Sequence, residues 1–347
     1  MEARLILEDG TVFKGNSFGA ESDVAGEVVF STAMTGYPEA FTDPSYFGQI
    51  LVMTYPLIGN YGVSNGHNFQ SNKLQLTGLV VTVNCENPSH FQCSKTLSKW
   101  LKENNVPAIE QIDTRALTQH LRTKGTMLGK IIIKKDNIDF YNPNHENIVA
   151  KVSVDQPKIF FKKENPKTVC LLDCGYKDAI LQNLLKRNLN VTVIPWNFDP
   201  FGKFPFDGLV ISNGPGDPKV VKETILIAHK AIKKHLPILG ICFGNQILSL
   251  GAGADTYKLK FGHRSLNQPV SDLKTGKCFI TSQNHGFAVN PKTLPTSFEQ
   301  WFINLNDQTC EGVISKDSLA MGVQFHPEGS PGPTDTEWVF DKFTEKL

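Results

Sequence analysis

Cys242 lies in Leu239-Gly240-Ile241-Cys242-Phe243-Gly244-Asn245-Gln246, where an apolar, strand-like run enters G-x-C-x-G and leaves with a helical pattern. This resembles the nucleophile elbow of hydrolases, with Cys in place of Ser. A reactive side chain on so sharp a turn needs a strained backbone and close approach of neighbouring segments, and glycines at 240 and 244 permit both. The N–H groups opening the next helix would favour negative charge on the sulfur. A nucleophile also needs a base. Met321-Gly322-Val323-Gln324-Phe325-His326-Pro327-Glu328 is a β-prone run ending in His-Pro-Glu. Pro327 fixes a local extended turn, so His326 and Glu328 emerge close together and Glu328 orients the imidazole. Cys, His and an orienting carboxylate are the general design for acyl transfer. Taken singly, the elbow already favours a nucleophile over a core cysteine at 242, while His326 reads as a surface turn histidine; the two motifs together favour the chemical reading for both.

Attack on an amide carbonyl makes a tetrahedral anion that backbone N–H groups must stabilise. Ser212-Asn213-Gly214-Pro215-Gly216-Asp217-Pro218 follows a strand-like run and can supply one donor, with the N–H of Phe243 as the other. By itself this stretch is equally a plain loop, and it does not match the phosphate-binding G-x-x-x-x-G-K-[ST] pattern. His67, His90, His120, His229 and His235 sit in polar or helical contexts and are read as solvated.

The elements that must hold these residues form two series. Leu5 to Phe13 places an Asp-Gly turn between β-prone stretches, the pattern of a hairpin. Further β-prone runs follow at 26–30, 50–54 and 79–83. The periodicity of residues 93–104 predicts a helix, and Asp113 is placed to cap a second over 114–123. Residues 134–167 turn to Lys, Asn, Asp and Pro with weak periodicity and read as a linker. Strands are then expected at 169–172, 191–194, 208–212 and 236–241, with helices at 178–187 and 220–234 and a last one at 336–342. Strand–helix alternation of this kind predicts a doubly wound parallel sheet. The fold class is therefore α/β: a β-rich mixed domain over 1–133, a linker over 134–167 and a doubly wound domain over 168–347.

At 347 residues the chain exceeds one ordinary core, in keeping with two domains. With 35 Lys and Arg against 34 Asp and Glu, it lacks the basic excess of a nucleic-acid binder. No run approaches the roughly 20 apolar residues of a membrane span, and the N-terminus has no signal-peptide pattern. Seven scattered cysteines fit a reducing compartment, so a cytoplasmic protein is expected. Cys85/Cys93 and Cys170/Cys174 lack C-x-x-C spacing and clustered histidines, so no metal site is expected.

The three pieces N-G-P-G-D-P, G-I-C-F-G-N-Q and F-H-P-E, in that order, resemble the class I glutamine amidotransferase family. That resemblance implies glutamine hydrolysis through a glutamyl thioester, with Cys242 attacking the side-chain amide, His326 moving protons, Glu328 supporting His326, and Gly214 and Phe243 lining the oxyanion site. Segments 35–40, 42–46 and 54–62 resemble the N-terminal domain of carbamoyl-phosphate synthetase small subunits, and 282–289 resembles their glutamine-pocket loop. On that resemblance Ser45, Gly214, Gly216, Phe243, Gln246, Asn284, Gly286 and Phe287 contact L-glutamine or its carbonyl. It implies no cofactor in this chain. It further implies a separate large subunit, docked on the N-terminal domain, that binds ATP, bicarbonate and magnesium and receives the ammonia for arginine and pyrimidine biosynthesis; the chain's end soon after residue 342 agrees with that expectation. Two positions depart from the family pattern: Asn245 stands where His is usual, and Ala179 where Asn is usual. Asn245 bears on rate or on coupling to the partner, and it is the support for the competing reading, a catalytically silent docking subunit.

Overall fold

The computed structural model describes residues 1–66, 68–134, 138–161 and 167–347. His67 and parts of the expected linker, residues 135–137 and 162–166, lie outside the described residues. The chain divides into two compact units, Met1–Glu146 and Asn147–Leu347.

The first unit contains β1 (Glu2–Leu7), β2 (Val12–Ser17), β3 (Val24–Ser31), α1 (Tyr37–Phe41), β4 (Gln49–Met53), β5 (Leu57–Ile58), β6 (Gly78–Val80), β7 (Val83–Asn84), α2 (Leu97–Glu103), β8 (Ala108–Glu110), α3 (Thr114–Lys124) and β9 (Met127–Ile132). Seven strands close into a barrel in the order β1-β2-β8-β6-β4-β3-β9, and β5 pairs with β7. The β1–β2 hairpin turns where Asp9-Gly10 predicts it: Gly10 takes φ +86°, and Asp9 accepts the Thr11 N–H at 3.0 Å. Alternation along β1 puts Ala3, Leu5 and Leu7 inside. Asp113 caps α3 by accepting the Ala116 N–H at 2.9 Å. The helix expected over 93–104 is shorter. It begins at Leu97 because Thr96 caps it, accepting the Lys99 N–H at 3.2 Å, while Lys95 bridges to Val63 in extended geometry.

The second unit contains β10 (Lys158–Phe160), β11 (Thr168–Asp173), α4 (Asp178–Lys186), β12 (Asn190–Pro195), β13 (Gly208–Ile211), α5 (Lys222–Lys233), β14 (Ile238–Ile241), α6 (Phe243–Ala252), β15 (Asp255–Asp272), β16 (Cys278–Asn290), β17 (Phe298–Asn304), β18 (Cys310–Ser315), β19 (Ala320–Val323) and α7 (Trp338–Thr344). Its ten-stranded sheet runs β10-β12-β11-β13-β14-β19-β18-β16-β15-β17. The five strands from β12 to β19 are parallel. Val169 and Leu171 pack with α4 and α7 on one face, and Cys170 and Leu172 with α5 and α6 on the other. Each fully buried aliphatic side chain there contributes about 1.5–3 kcal/mol.

A wholly parallel sheet is too simple a description of the second unit. β10 joins antiparallel to β12, so part of the expected linker is sheet edge. β15 to β18 extend the other edge with antiparallel pairs. The physical reason is connection length. Only tight turns separate β15 from β16 and β17 from β18, too short for the crossover a parallel pair needs. Asp272 closes the first turn by accepting the Lys274 N–H at 2.8 Å, and Gly276 takes φ +70°. Among the described residues no helix is long and apolar enough to cross a membrane. All seven cysteines are free, with Cys170, Cys174, Cys242 and Cys310 buried.

Candidate active site

β14 lies between β13 and β19, so the loops leaving all three strands gather at one sheet edge. Cys242 follows β14 directly and serves as N-cap of α6, with φ 54° and ψ −104°. That conformation costs a non-glycine residue about 1–3 kcal/mol and is held by the packing around it. The flanking glycines serve close approach, while the strain falls on the cysteine. A Cβ on Gly244 would lie 2.0 Å from the Ile211 carbonyl oxygen. The Cys242 N–H donates to Val323 O at 2.8 Å, tying the elbow to β19.

β19 delivers the next group. Beyond it, His326 donates its backbone N–H to Ser282 O at 2.9 Å. Its Nδ1 pairs with Glu328 Oε1 at 2.6 Å, and both side chains are buried. With Nδ1 occupied, Nε2 is the free ring nitrogen, without a hydrogen-bond partner among the described residues. The imidazole is electrostatically coupled to Cys242. Lys177, which sequence reasoning passed over, completes this chain: its ammonium lies 2.9 Å from Glu328 Oε1 and also donates to Gly329 O. Lys177 is only 2% exposed. A buried lysine is rare without a partner, but nothing in the run Tyr176-Lys177-Asp178 reveals burial.

Burial acts against charge in both Glu328 and His326, and the opposite charges beside each override it. For Glu328 burial raises the carboxyl pKa, but Lys177 and His326 outweigh it and hold the group down at about 2. For His326 burial and Lys177 favour the neutral ring, yet Glu328 and Cys242 push it well above the ordinary histidine value. The imidazole therefore holds a proton readily and can hand it to a leaving group.

The sulfur has two further neighbours. The thiol donates to Asn284 O at 3.5 Å, and Gln324 donates from Nε2 to the sulfur at 3.6 Å. Gln324 was not singled out from sequence, although it lies within G-V-Q-F-H-P-E. Its orientation is set by what its Oε1 accepts: Gln246 Nε2 at 3.1 Å and Asn245 Nδ2 at 3.3 Å. Gln246 also donates to Phe287 O at 2.8 Å. Cys242, His326, Glu328, Gln246, Asn284 and Phe287 are thus joined by direct contacts or through one intervening group.

Gly214 and Gly216 lie on the loop after β13. Ile211 pairs with Gly240, so Gly214 and Phe243 each stand three residues beyond paired positions on adjacent parallel strands. A Cβ on Gly214 would meet Cys174 O at 2.3 Å, so the loop passes too close to the neighbouring chain for a side chain there. Gly214, Gly216, Asn284 and Gly286 are half-buried, whereas Cys242 and His326 are 2% and 1% exposed. Ser45 belongs to the first unit, where it is buried in a 3-10 turn and donates its N–H to Asp43 at 2.9 Å. Ala179 opens α4 and accepts from Asn183 Nδ2 at 3.0 Å. Of the histidines read as solvated, His90, His229 and His235 are exposed, and His120 pairs with Asp9 at 2.7 Å.

Comparison with known proteins bears on the whole chain. Residues 5–131 match the carbamoyl-phosphate synthase small chain, CPSase domain, and residues 170–346 match the class-I glutamine amidotransferase family. The carbamoyl phosphate synthase small chain of Archaeoglobus fulgidus is 47% identical over 100% of this chain and 99% of its own length. The arginine-specific small chain of Chaetomium globosum is 44% identical over 100% of this chain and 78% of that protein. The multifunctional protein CAD of Squalus acanthias is 48% identical over 99% of this chain but only 16% of that protein, and the chain spans 16 to 21% of the multifunctional relatives it matches. The chain belongs to the carbamoyl-phosphate synthase small-chain family.

Proposed function

We propose that Cys242, His326 and Glu328 hydrolyse L-glutamine and that the ammonia passes to the large chain of carbamoyl-phosphate synthase. The single observation that carries this reading is Cys242 on its elbow beside the His326–Glu328 pair beyond β19, with the imidazole's Nδ1 pinned by the carboxylate at 2.6 Å and its Nε2 left for proton transfer.

In this reading the sulfur attacks the side-chain amide carbon while its proton passes to His326 Nε2. The N–H groups of Gly214 and Phe243 stabilise the oxyanion. Collapse breaks the C–N bond, His326 returns the proton to nitrogen, and ammonia leaves a glutamyl thioester. Water then attacks with His326 as base, releasing glutamate and the thiol. Glu328 holds the ring in the tautomer that presents Nε2 and stabilises its charged form. Lys177 keeps Glu328 ionised, and Gln324 directs an N–H at the sulfur. Gly216, Gln246, Asn284, Gly286 and Phe287 complete the glutamine pocket within the second unit.

The half-reaction needs no cofactor in this chain; ATP, bicarbonate and magnesium belong to the large chain, which docks on the residue 1–133 domain. Handing ammonia over away from water protects it from protonation. The test is glutamate release by the purified chain, with and without a large chain. Wild type should hydrolyse glutamine faster with the partner present. Cys242→Ser should abolish glutamine-dependent synthesis and spare synthesis from added ammonia. Equal loss with both nitrogen sources removes Cys242 from its role. No hydrolysis by a wild-type complex that has demonstrably formed indicates a silent docking subunit.

A further inference from the structure

Behind the strand that carries Asn284, residues distant in sequence bring four lone-pair atoms together: His263 Nδ1, His285 Nε2, Glu311 Oε1 and Gln283 Oε1. His263 Nδ1 lies 3.0 Å from Gln283 Oε1 and 3.2 Å from Glu311 Oε1, and His285 Nε2 lies 3.1 Å from Gln283 Oε1. Ligand atoms of His263, His285 and Glu311 all fall within 4.8 Å of one another, and all three residues are buried. Four ligands bound to zinc at about 2.0–2.1 Å form a tetrahedron with edges of about 3.3 Å. The three measured separations are close to that edge.

The outward-facing atoms point the same way. A metal-bound histidine characteristically donates its other ring N–H to a carboxylate or a backbone carbonyl. His263 Nε2 meets Asp307 Oδ2 at 2.9 Å, and His285 Nδ1 meets Phe287 O at 2.9 Å. Glu311 is held by Asn304 Nδ2 at 2.9 Å and by Gln283 Nε2 at 3.0 Å.

Hydrogen counting supplies a second, independent argument. Phe287 O can only accept, so the ring proton of His285 sits on Nδ1 and Nε2 carries a lone pair. That lone pair faces Gln283 Oε1. The amide is fixed in this sense because its Nε2 donates to Glu311 Oε2 and to Thr281 Oγ1 at 3.2 Å. Two acceptors facing each other at 3.1 Å in a buried place call for a cation between them.

We propose that His263, His285, Glu311 and Gln283 form a tetrahedral site for a divalent transition-metal ion of the zinc class. Any proton on His263 Nδ1 goes to solvent when the ion binds. The sequence separations of 263, 285 and 311 match no short metal motif, so the site arises only from the pairing of β15, β16 and β18. Its place suggests its use: the ion clamps Gln283 and His285, which flank Asn284, whose carbonyl accepts from the Cys242 thiol.

The test uses the full chain, stripped with a chelator and titrated with Co²⁺, then with Zn²⁺ as competitor. One equivalent of Co²⁺ should give the visible absorption of a tetrahedral N/O site without a thiolate-to-cobalt charge-transfer band, and Zn²⁺ should bleach it and raise Tm. Glu311→Gln and His263→Gln should each weaken binding at least about 100-fold and remove the Zn²⁺ effect on Tm. The proposal fails if wild type takes up no stoichiometric Co²⁺, if the spectrum carries the thiolate band, or if folded variants bind like wild type. Because the wild-type titration decides the first two points, the proposal stays refutable even if a variant does not fold.

Discussion

Replacing Lys177 with Met removes the buried cation that faces Glu328 and leaves a carboxylate shared only with His326. At 2.9 Å, with an effective dielectric constant of about 20, the pair attracts by about 6 kcal/mol before desolvation is counted. Removing one member of a buried pair costs about 3–5 kcal/mol in stability, chiefly because the survivor is left uncompensated. With a urea slope of about 2.5 kcal/mol per M, the unfolding midpoint should fall by about 1–2 M. Tryptophan fluorescence reports on the relevant unit, since Trp196, Trp301 and Trp338 lie in it and Trp100 alone lies in the other. The diagnostic variant is the double one. If the cost comes from the stranded charge, Glu328→Gln added to Lys177→Met should recover at least about 2 kcal/mol of what the first change lost. Glutaminase kcat/KM of Lys177→Met should fall about tenfold or more, because Glu328 then orients His326 less firmly. Additive stability losses in the double variant would refute the argument, since they would mean that Lys177 contributes packing and no electrostatic coupling.

Glu328→Gln should reduce kcat by about 10²-fold and His326→Asn by more, because an orienting group contributes less than the base it orients; a reversed order in steady-state assays would overturn the assigned roles. Gly244→Ala puts a methyl group 2.0 Å from Ile211 O, so the elbow must shift, and kcat should fall about 100-fold with a stability loss of about 1–3 kcal/mol. Because Glu328 titrates at about 2 in the folded chain, below its ordinary value, its stabilisation is present above about pH 4.5 and is lost as pH falls toward 2. Urea midpoints measured across that window should therefore fall less steeply with acid in Glu328→Gln than in wild type.

The barrel hairpin, the Asp113 cap and the parallel strand–helix alternation were legible because each rests on local chemistry: a turn dipeptide, a capping side chain, a period. The elbow and the His-Pro-Glu run were legible for the same reason, since chemistry at one sheet edge needs particular residues at short spacing. Lys177 was not. Its burial depends on Glu328, about 150 residues further on, and lysines in sequence look alike whether buried or solvated. The antiparallel half of the second sheet escaped too, because Asp255 to Asp272 alternates imperfectly: its pairing with β16 shifts register between Lys258 and His263 and again between Ser265 and Gln268. The same region holds the His263–His285–Glu311 cluster, which exists only once three strands are aligned.

Asn245 shows how a departure from a family pattern can keep a physical task. The task at this position is to offer an N–H to Gln324 Oε1, so that the other end of that amide points its own N–H at the sulfur. An imidazole in the usual residue also carries an N–H, but it titrates near neutrality and its donor can move between two nitrogens. An amide does neither. Asn245 therefore supplies the donor over the whole working pH range, and the orientation of Gln324 follows from two amides, Asn245 and Gln246, that hold its oxygen from the first turn of α6. What is lost is any contact that the larger ring would make: Asn245 Oδ1 is buried without a hydrogen-bond partner among the described residues, and Gly322 leaves it space that a Cβ would fill at 2.4 Å. On this geometry the substitution bears on the local packing against β19: the Asn245 side chain reaches the Cys242–His326–Glu328 line only through Gln324, and its backbone N–H, which donates to Cys242 O at 3.0 Å, does not depend on the residue type.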